Sequence, residues 1–510
     1  MRRLLRNSVA TLAGNAWAVV VTVVTLPLML HGLGPTLFGL WVLLQTFSAV
    51  NGWFSLADVG VGLAATKLVA ERAATSGTDG ATEAVASSLA LFLGLAILAA
   101  AVLGLLGPVF LPSLFRAPAV ATGALRTATL LFAIQVAADL VTGGCQACME
   151  GFQRVDLARG VDAVRRTMVA ASTAAAALLS GSLVVVAGVS LVTATMATLV
   201  AFIVLARISR MLGRPSPSVM LGLLFYGSKV GLLNLAGTMH RTMDRIIVGI
   251  ILGPGSVTVV EVATQVQSGA MAVLSAVSYS VVPAAAWLNS RNDLERGRRL
   301  LLQGTKLSLL AALPVAVSAM VLVFPAIPLW VGKSFSGAAP IASIALTYTV
   351  VIAPIQVGLN YMQGTGRVNW LIKVQFVAVA LNIALSVVLV ATIGVAGVFV
   401  ATTVSTLVLT AAVIRWLGRD IPVPISEFAR NVVLPAVLPT IAAGAGALVG
   451  VSLPLSAAAR LVIGITLSGG AATLLAICLS LSSGERRELA EGVAGRVSPA
   501  ARSRGRRGLP

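Results

Sequence analysis

The sequence predicts an all-α polytopic membrane protein of about fourteen transmembrane helices, built as two six-helix lobes with two further helices at the C-terminal end. Three observations carry this: membrane-length apolar runs, an internal repeat, and the placement of positive charge. The chain is 58% hydrophobic and 10% charged over 510 residues, a balance that no soluble domain sustains. Its apolar runs reach the roughly 20 residues that cross about 30 Å of hydrocarbon as a helix. They are continuous and do not alternate at every second residue, so helices are predicted over strands.

The repeat sets the architecture. Leu33-Gly34-Pro35 recurs as Leu252-Gly253-Pro254, 219 residues on. Met149-Glu150-Gly151-Phe152-Gln153-Arg154-Val155 recurs as Met362-Gln363-Gly364-Thr365-Gly366-Arg367-Val368, an offset of 213. Val186-Ala187-Gly188-Val189 recurs as Val395-Ala396-Gly397-Val398, an offset of 209. Matches in one order with slowly drifting offsets indicate a duplicated helix bundle, with a substrate path between its halves. Six helices per repeat is an even number, so both halves enter the membrane from the same side and share an axis along its normal.

Spans are predicted at about 8–30, 37–62, 84–111, 121–148, 160–181, 183–206, 218–251, 257–288, 304–330, 340–362, 370–392, 394–414, 431–451 and 456–482. The first follows Arg2, Arg3 and Arg6, and the second closes at Lys67 and Arg72. The fourth ends at Arg154 and Arg159, and the sixth at Arg207, Arg210 and Arg214. The eighth runs into Arg291, Arg296, Arg298 and Arg299, the tenth into Arg367, and the twelfth into Arg415 and Arg419. The alternate loops hold little beyond Arg116 and Lys333. This is a positive-inside pattern with both termini in the cytoplasm. The long seventh and eighth spans are expected to tilt or project. Pro27, Pro283, Pro314 and Pro354 interrupt spans and are candidate bending points.

The domain division follows: 1–210 as the first lobe, 211–420 as the second, 421–483 as the appended pair, and 484–510 as a basic disordered cytoplasmic tail. Most of the net charge of +19 is topology signal, and the tail is expected to lie near anionic headgroups without binding nucleic acid. Cys145 and Cys148 lie in an apolar span with no His beside them and are read as packing residues. No metal-ligand spacing, phosphate-cradling glycine loop or soluble catalytic segment occurs, so neither enzymatic activity nor a cofactor is expected. A membrane glycosyltransferase or polymerase would need a large outer loop, and the longest here is about ten residues.

The stretch His31–Glu71, HGLGPTLFGLWVLLQTFSAVNGWFSLADVGVGLAATKLVAE, resembles the opening of bacterial polysaccharide transporters of the O-antigen flippase type. The shared pattern is a Leu-Gly-Pro turn, a Phe-Gly-Leu-Trp helix start and an Asp-x-Gly-x-Gly close. Asp244-Arg245-Ile246-Ile247-Val248-Gly249 leading to Pro254 agrees in the second half, whereas Val260 beside Glu261 stands where those families often carry Tyr. The resemblance covers roughly residues 5–480. It implies membership of the superfamily that also holds multidrug antiporters and the lipid II flippase, with two lobes in a V around a central cavity. It further implies alternating access, undecaprenyl-pyrophosphate-linked oligosaccharide as cargo, residence in the bacterial cytoplasmic membrane, and contact with a polymerase or ligase of the same pathway. A monomer among membrane lipids is expected, and an ion-coupled multidrug antiporter is the alternative.

Ionisable groups inside spans are costly and mark functional sites. The seventh span holds Lys229, His240, Arg241, Asp244 and Arg245, with Asn234. Lys229, His240 and Asp244 share one helical face, while Asn234, Arg241 and Arg245 share the adjoining one. Arg pairs phosphate oxygens bidentately and stays charged when desolvated, so this surface suits a pyrophosphate. The bland reading is that Asp244 neutralises Arg241 or Arg245. In the second span Gln45, Ser48, Asn51, Ser55 and Asp58 recur every three or four residues, as on a helix that offers hydrogen bonds to sugar hydroxyls. Gln135, Asp139, Gln146 and Glu150 form a stripe on the fourth span, Glu261, Gln265 and Ser268 on the eighth, and Tyr348, Gln356, Asn360 and Gln363 on the tenth. The cavity candidates are therefore Lys229, Asn234, Arg241, Asp244, Arg245, Asn51, Asp58, Gln356 and Asn360. Asp139 and Glu261 have no cation within a turn of their own helix and are the candidates for proton or sodium coupling.

Overall fold

The structure, a computed structural model, describes residues 2–209, 213–278, 280–420 and 424–480. The described residues are helical, with no strand. The helices are α1 (Arg2–Gln45), α2 (Ser55–Gly80), α3 (Thr82–Leu114), α4 (Ala119–Gly151), α5 (Val155–Ser180), α6 (Leu183–Ile208), α7 (Pro217–Leu252) and α8 (Pro254–Ser278). They continue as α9 (Val281–Ser290), α10 (Leu294–Trp330), α11 (Ala338–Gly364), α12 (Val368–Ile393), α13 (Ala396–Asp420), α14 (Ile425–Phe428), α15 (Leu434–Ser452) and α16 (Ala457–Leu475). The tail 484–510 lies outside the described residues.

Among the described residues, eleven helices are long and apolar enough to cross a membrane. The expected spans that fall outside this set lie on α2, α5 and α7, which carry ionisable side chains through much of their length. Two expected spans are also not continuous. The second leaves helical geometry from Thr46 to Phe54, and the eighth divides into α8 and α9 just before Pro283. Pro27, Pro314 and Pro354 sit inside α1, α10 and α11.

The repeat is written in the backbone. Every residue with positive φ among the described residues has a counterpart in the other half: Gly34 with Gly253, Gly77 with Asn292, Arg116 with Gly332, Gln153 with Gly366, and Gly181 with Gly394. Gly34 (φ 72°) divides α1 as Gly253 (φ 87°) separates α7 from α8. Only glycine enters this region without a Cβ penalty, and Gly34 with Gly253 and Gly181 with Gly394 keep it in both copies.

The chain forms two compact units. The first comprises Met1–Gly269, Trp330–Ala345 and Asn369–Leu409. One apolar cluster here joins Val69, Val85, Met149 and Leu205 around the free, buried thiols of Cys145 and Cys148. Trp41 meets Phe132 edge-on with ring centroids 6.0 Å apart. α2 packs on α7 through glycines: a methyl on Gly60 would lie 2.3 Å from the Gly227 carbonyl oxygen. Small residues permit this approach where hydrophobic burial gives helices little reason to associate. The second unit comprises Ala270–Leu329, Leu346–Val368 and Thr410–Pro510. Val281, Ala285, Leu301, Val357 and Tyr361 form a cluster in it. Gly450 and Gly464 bring α15 against α16, whose first turn is capped by Ser456 Oγ accepting from the Ala459 amide.

The two Leu-Gly-Pro turns touch reciprocally within the first unit. Thr258 donates from Oγ1 to the Pro35 carbonyl at 2.7 Å. Gly39, its equivalent in the first half, packs against the Pro254 carbonyl so closely that a methyl would lie 1.8 Å from the oxygen.

Candidate functional site

α7 starts on Pro217 at its first turn and runs unbroken to the turn at Gly253. It carries the densest set of candidate residues. The structure separates Arg241 from Arg245. Arg245 forms an ion pair with Glu261 of α8 at 2.8 Å, and Gln265 Nε2 donates to the other carboxylate oxygen at 2.9 Å. Arg241 is exposed, donates to Thr238 Oγ1 at 3.2 Å, and among the described residues has no carboxylate within 4.0 Å. Asn234, two turns before it, is also exposed. The side chains of Lys229 and Asp58 lie outside the described residues.

Asp244 pairs with neither arginine. Its Oδ2 accepts from Thr402 Oγ1 of α13 at 3.3 Å, and that hydroxyl accepts from Asn382 Nδ2 of α12 at 2.9 Å. Ser386 follows one turn after Asn382 and is fully buried. Asp244 Oδ1, Asn382 Oδ1 and Ser386 Oγ are buried and have no hydrogen-bond partner. An unpaired carboxylate among uncharged oxygens at membrane depth is costly unless a proton or cation shares it. The carboxylate of Asp244 and the hydroxyl of Thr402, which are in contact, are oxygen ligands of the kind a hard cation takes.

Asn382, Ser386 and Thr402 were not singled out from the sequence, yet the repeat contained a signal. Thr193 of α6 is the counterpart of Thr402, and it shares a hydrogen bond of 3.3 Å with Ser172 of α5. The first half therefore keeps the interhelical hydroxyl contact but has Thr25 where the second has Asp244.

The coupling candidates were chosen for lacking a cation on their own helix, and that reason does not survive the tertiary structure. Arg165 of α5 donates to Asp139 Oδ1 at 2.8 Å and to Asp162 at 3.2 Å, and Arg166 binds Asp162 at 2.8 Å. Gln135 Nε2 completes the shell at 3.4 Å. Glu261 has Arg245, as above. Both partners come from a neighbouring helix, which periodicity along one helix cannot reveal.

The expected polar face of the second span is also revised. Gln45, Ser48, Asn51 and Ser55 do not stand on one helix, because the chain between them is a series of turns. The Gly52 amide donates to the Ser48 carbonyl and the Trp53 amide to the Thr46 carbonyl. Asn51 remains exposed. In the second unit, Asn360 Nδ2 donates at 2.8 Å to the Ser278 carbonyl at the end of α8, and Gln356 donates to Asn360 at 3.3 Å. These two side chains are joined to each other and to a helix end.

The profile of the family described as polysaccharide biosynthesis protein matches residues 33–340. The chain belongs to that family. No curated protein matches its sequence significantly. Among solved structures, the lipid II flippase MurJ in an inward closed conformation is similar at a TM-score of 0.66 and 13% identity, covering 92% of this chain and 98% of that one. An inward-facing multidrug resistance MATE family transporter of the MOP superfamily gives a TM-score of 0.65 at 14% identity, with 80% and 96% covered. A MOP superfamily transporter from Pyrococcus furiosus, described by the reverse polarity of its binding pocket, gives 0.58 at 15%, with 82% and 95% covered. At these identities the likeness is one of fold. This member of the polysaccharide biosynthesis family thus carries, among its described residues, eleven helices long and apolar enough to cross a membrane, in a fold like that of MATE and MurJ.

Proposed function

We propose that the protein is a flippase for undecaprenyl-pyrophosphate-linked oligosaccharide in a bacterial cytoplasmic membrane. It accepts the pyrophosphate head on the cytoplasmic side and releases it outward by alternating access, while the lipid tail stays in the bilayer. The observation that carries this reading is Arg241, an exposed guanidinium on a membrane-length helix with no carboxylate to neutralise it among the described residues. An unspent cation there attracts a phosphate and repels a cationic drug. The family match supports a glycan pathway, and the positive-inside pattern supports cytoplasmic termini.

Ion coupling is assigned to Asp244, which Thr402 links to Asn382. A proton or monovalent cation there would satisfy Asp244 Oδ1, which the protein leaves without a partner. Asp139 and Glu261, the earlier candidates, already hold an arginine each. A multidrug antiporter is the competing reading, and its cargo would need a negative or apolar lining around α7.

The deciding experiment is translocation of lipid-linked oligosaccharide in sealed vesicles containing the purified protein, with an amphiphilic cation tested in parallel. Movement of the glycolipid alone is expected. Movement of the cation alone would replace this reading with the antiporter.

A further inference from the structure

On the topology predicted from charge placement, the interruption between α1 and α2 falls near the middle of the membrane. Gln45 is eleven residues beyond the Gly34 turn, so the helix between them descends about 16 Å, half of a 30 Å core. Lys67, which the topology assigns to the cytoplasmic side, lies twelve residues beyond Ser55, about 18 Å further on. Backbone without regular helical bonding at such a depth is tolerated only inside protein or beside water. Asn51 is exposed, so water or a ligand reaches this segment.

α7 runs past the interruption and brackets it. A methyl on Gly249 would meet Leu43 Cδ2 at 2.8 Å, just before the break. One on Gly231 would meet the Leu56 carbonyl oxygen at 3.4 Å, just after it. Asn234 and Arg241 lie on α7 between these two contacts. Arg241 is twelve residues before the Gly253 turn, about 18 Å down from it. The Leu-Gly-Pro turns touch each other, so both depths are measured from one level.

The chemistry of Gln45–Phe54 is neutral; the hydroxyls of Thr46 and Ser48 are used within the segment and its helix, and its side-chain amides and indole are not. No charged residue occurs in it. Among the described residues the amides of Gln45 and Asn51 and the Trp53 indole N–H make no hydrogen bond, and Trp53 is half-buried. Phosphate would call for a cation here and a cationic drug for a carboxylate. Amides beside a flat indole match a pyranose, which offers hydroxyls at its rim and C–H groups on its faces. Resting on the flippase reading above, we propose that Gln45–Phe54 is a carbohydrate subsite beside the Arg241 phosphate anchor. Trp53 stacks on a sugar ring near the pyrophosphate, and Gln45 and Asn51 exchange hydrogen bonds with its hydroxyls. The segment thereby selects glycan-bearing lipid over bare lipid pyrophosphate.

The test compares the affinity of full-length protein in nanodiscs for lipid-linked oligosaccharide and for undecaprenyl pyrophosphate without sugar. Wild type is expected to prefer the glycolipid. Trp53→Ala and Asn51→Ala should each shrink that preference by roughly three- to tenfold, whereas Trp53→Phe should keep most of it. Arg241→Ala should weaken both lipids together. Variants that bind both lipids with the wild-type preference would overturn the subsite while leaving the flippase reading intact. Wild-type protein that retains neither lipid would overturn both.

Discussion

Arg245 of α7 and Glu261 of α8 form an ion pair at 2.8 Å, with side chains only 20% and 12% exposed. The pair divides the labour of two arginines that are four residues apart. Arg245→Ala would strand a largely buried carboxylate, and a destabilisation of about 2–4 kcal/mol is expected. The double change Arg245→Ala with Glu261→Ala should recover part of it. Thermal unfolding of purified protein in detergent measures both. A double variant no more stable than the single one would show that the pair is not the source.

Arg241→Ala should leave the melting temperature near wild type, because among the described residues its hydrogen bond is a single one, to Thr238. Glycolipid translocation should fall by roughly ten- to a hundredfold. Arg241→Lys should restore only part, since a point charge cannot make the bidentate contact. Full transport by the alanine variant would remove Arg241 from the cargo path.

Asp244→Asn keeps the shape of the cluster and removes its charge. If transport in vesicles follows a sodium or proton gradient, the variant should lose that dependence. Thr402→Val, which deletes the hydroxyl linking Asp244 to Asn382, should weaken it. Gradient dependence that persists in Asp244→Asn would move coupling elsewhere.

Gly39→Ala should destabilise the protein by about 1–3 kcal/mol or lower its membrane yield, because the added methyl meets backbone and no mobile side chain can give way. Gly94→Ala is the control: nothing lies within 4 Å of the position. Equal stability losses in the two would point to helix composition instead of the contact.

Helix placement was legible because hydrophobic length is a bulk property of each segment. The predicted span 84–111 became Thr82–Leu114, and 121–148 became Ala119–Gly151. The break at Thr46–Phe54 escaped the hydropathy reading, although Asn51-Gly52 is a turn dipeptide. Gly52 cannot be replaced there without collision, since a methyl would lie 2.4 Å from the Thr46 carbonyl oxygen. The partners of Asp139 and Glu261 were invisible for a different reason. Arg165 and Arg245 reach them across helix boundaries, and one helix's period says nothing about its neighbour's. The Asp244 site was half legible: the aspartate stood out as a charge, while Thr402 and Asn382 looked like ordinary membrane threonine and asparagine.

The reciprocal contact of the two Leu-Gly-Pro turns means that the duplicated halves are no longer interchangeable parts. Gly39 admits no side chain against Pro254, while Thr258 uses its hydroxyl to hold Pro35. A tandem of two first halves would face glycine with glycine and lose the hydrogen bond. A tandem of two second halves would drive a threonine into a carbonyl. The ancestral symmetry survives in the turns, and the present molecule closes only as an unlike pair.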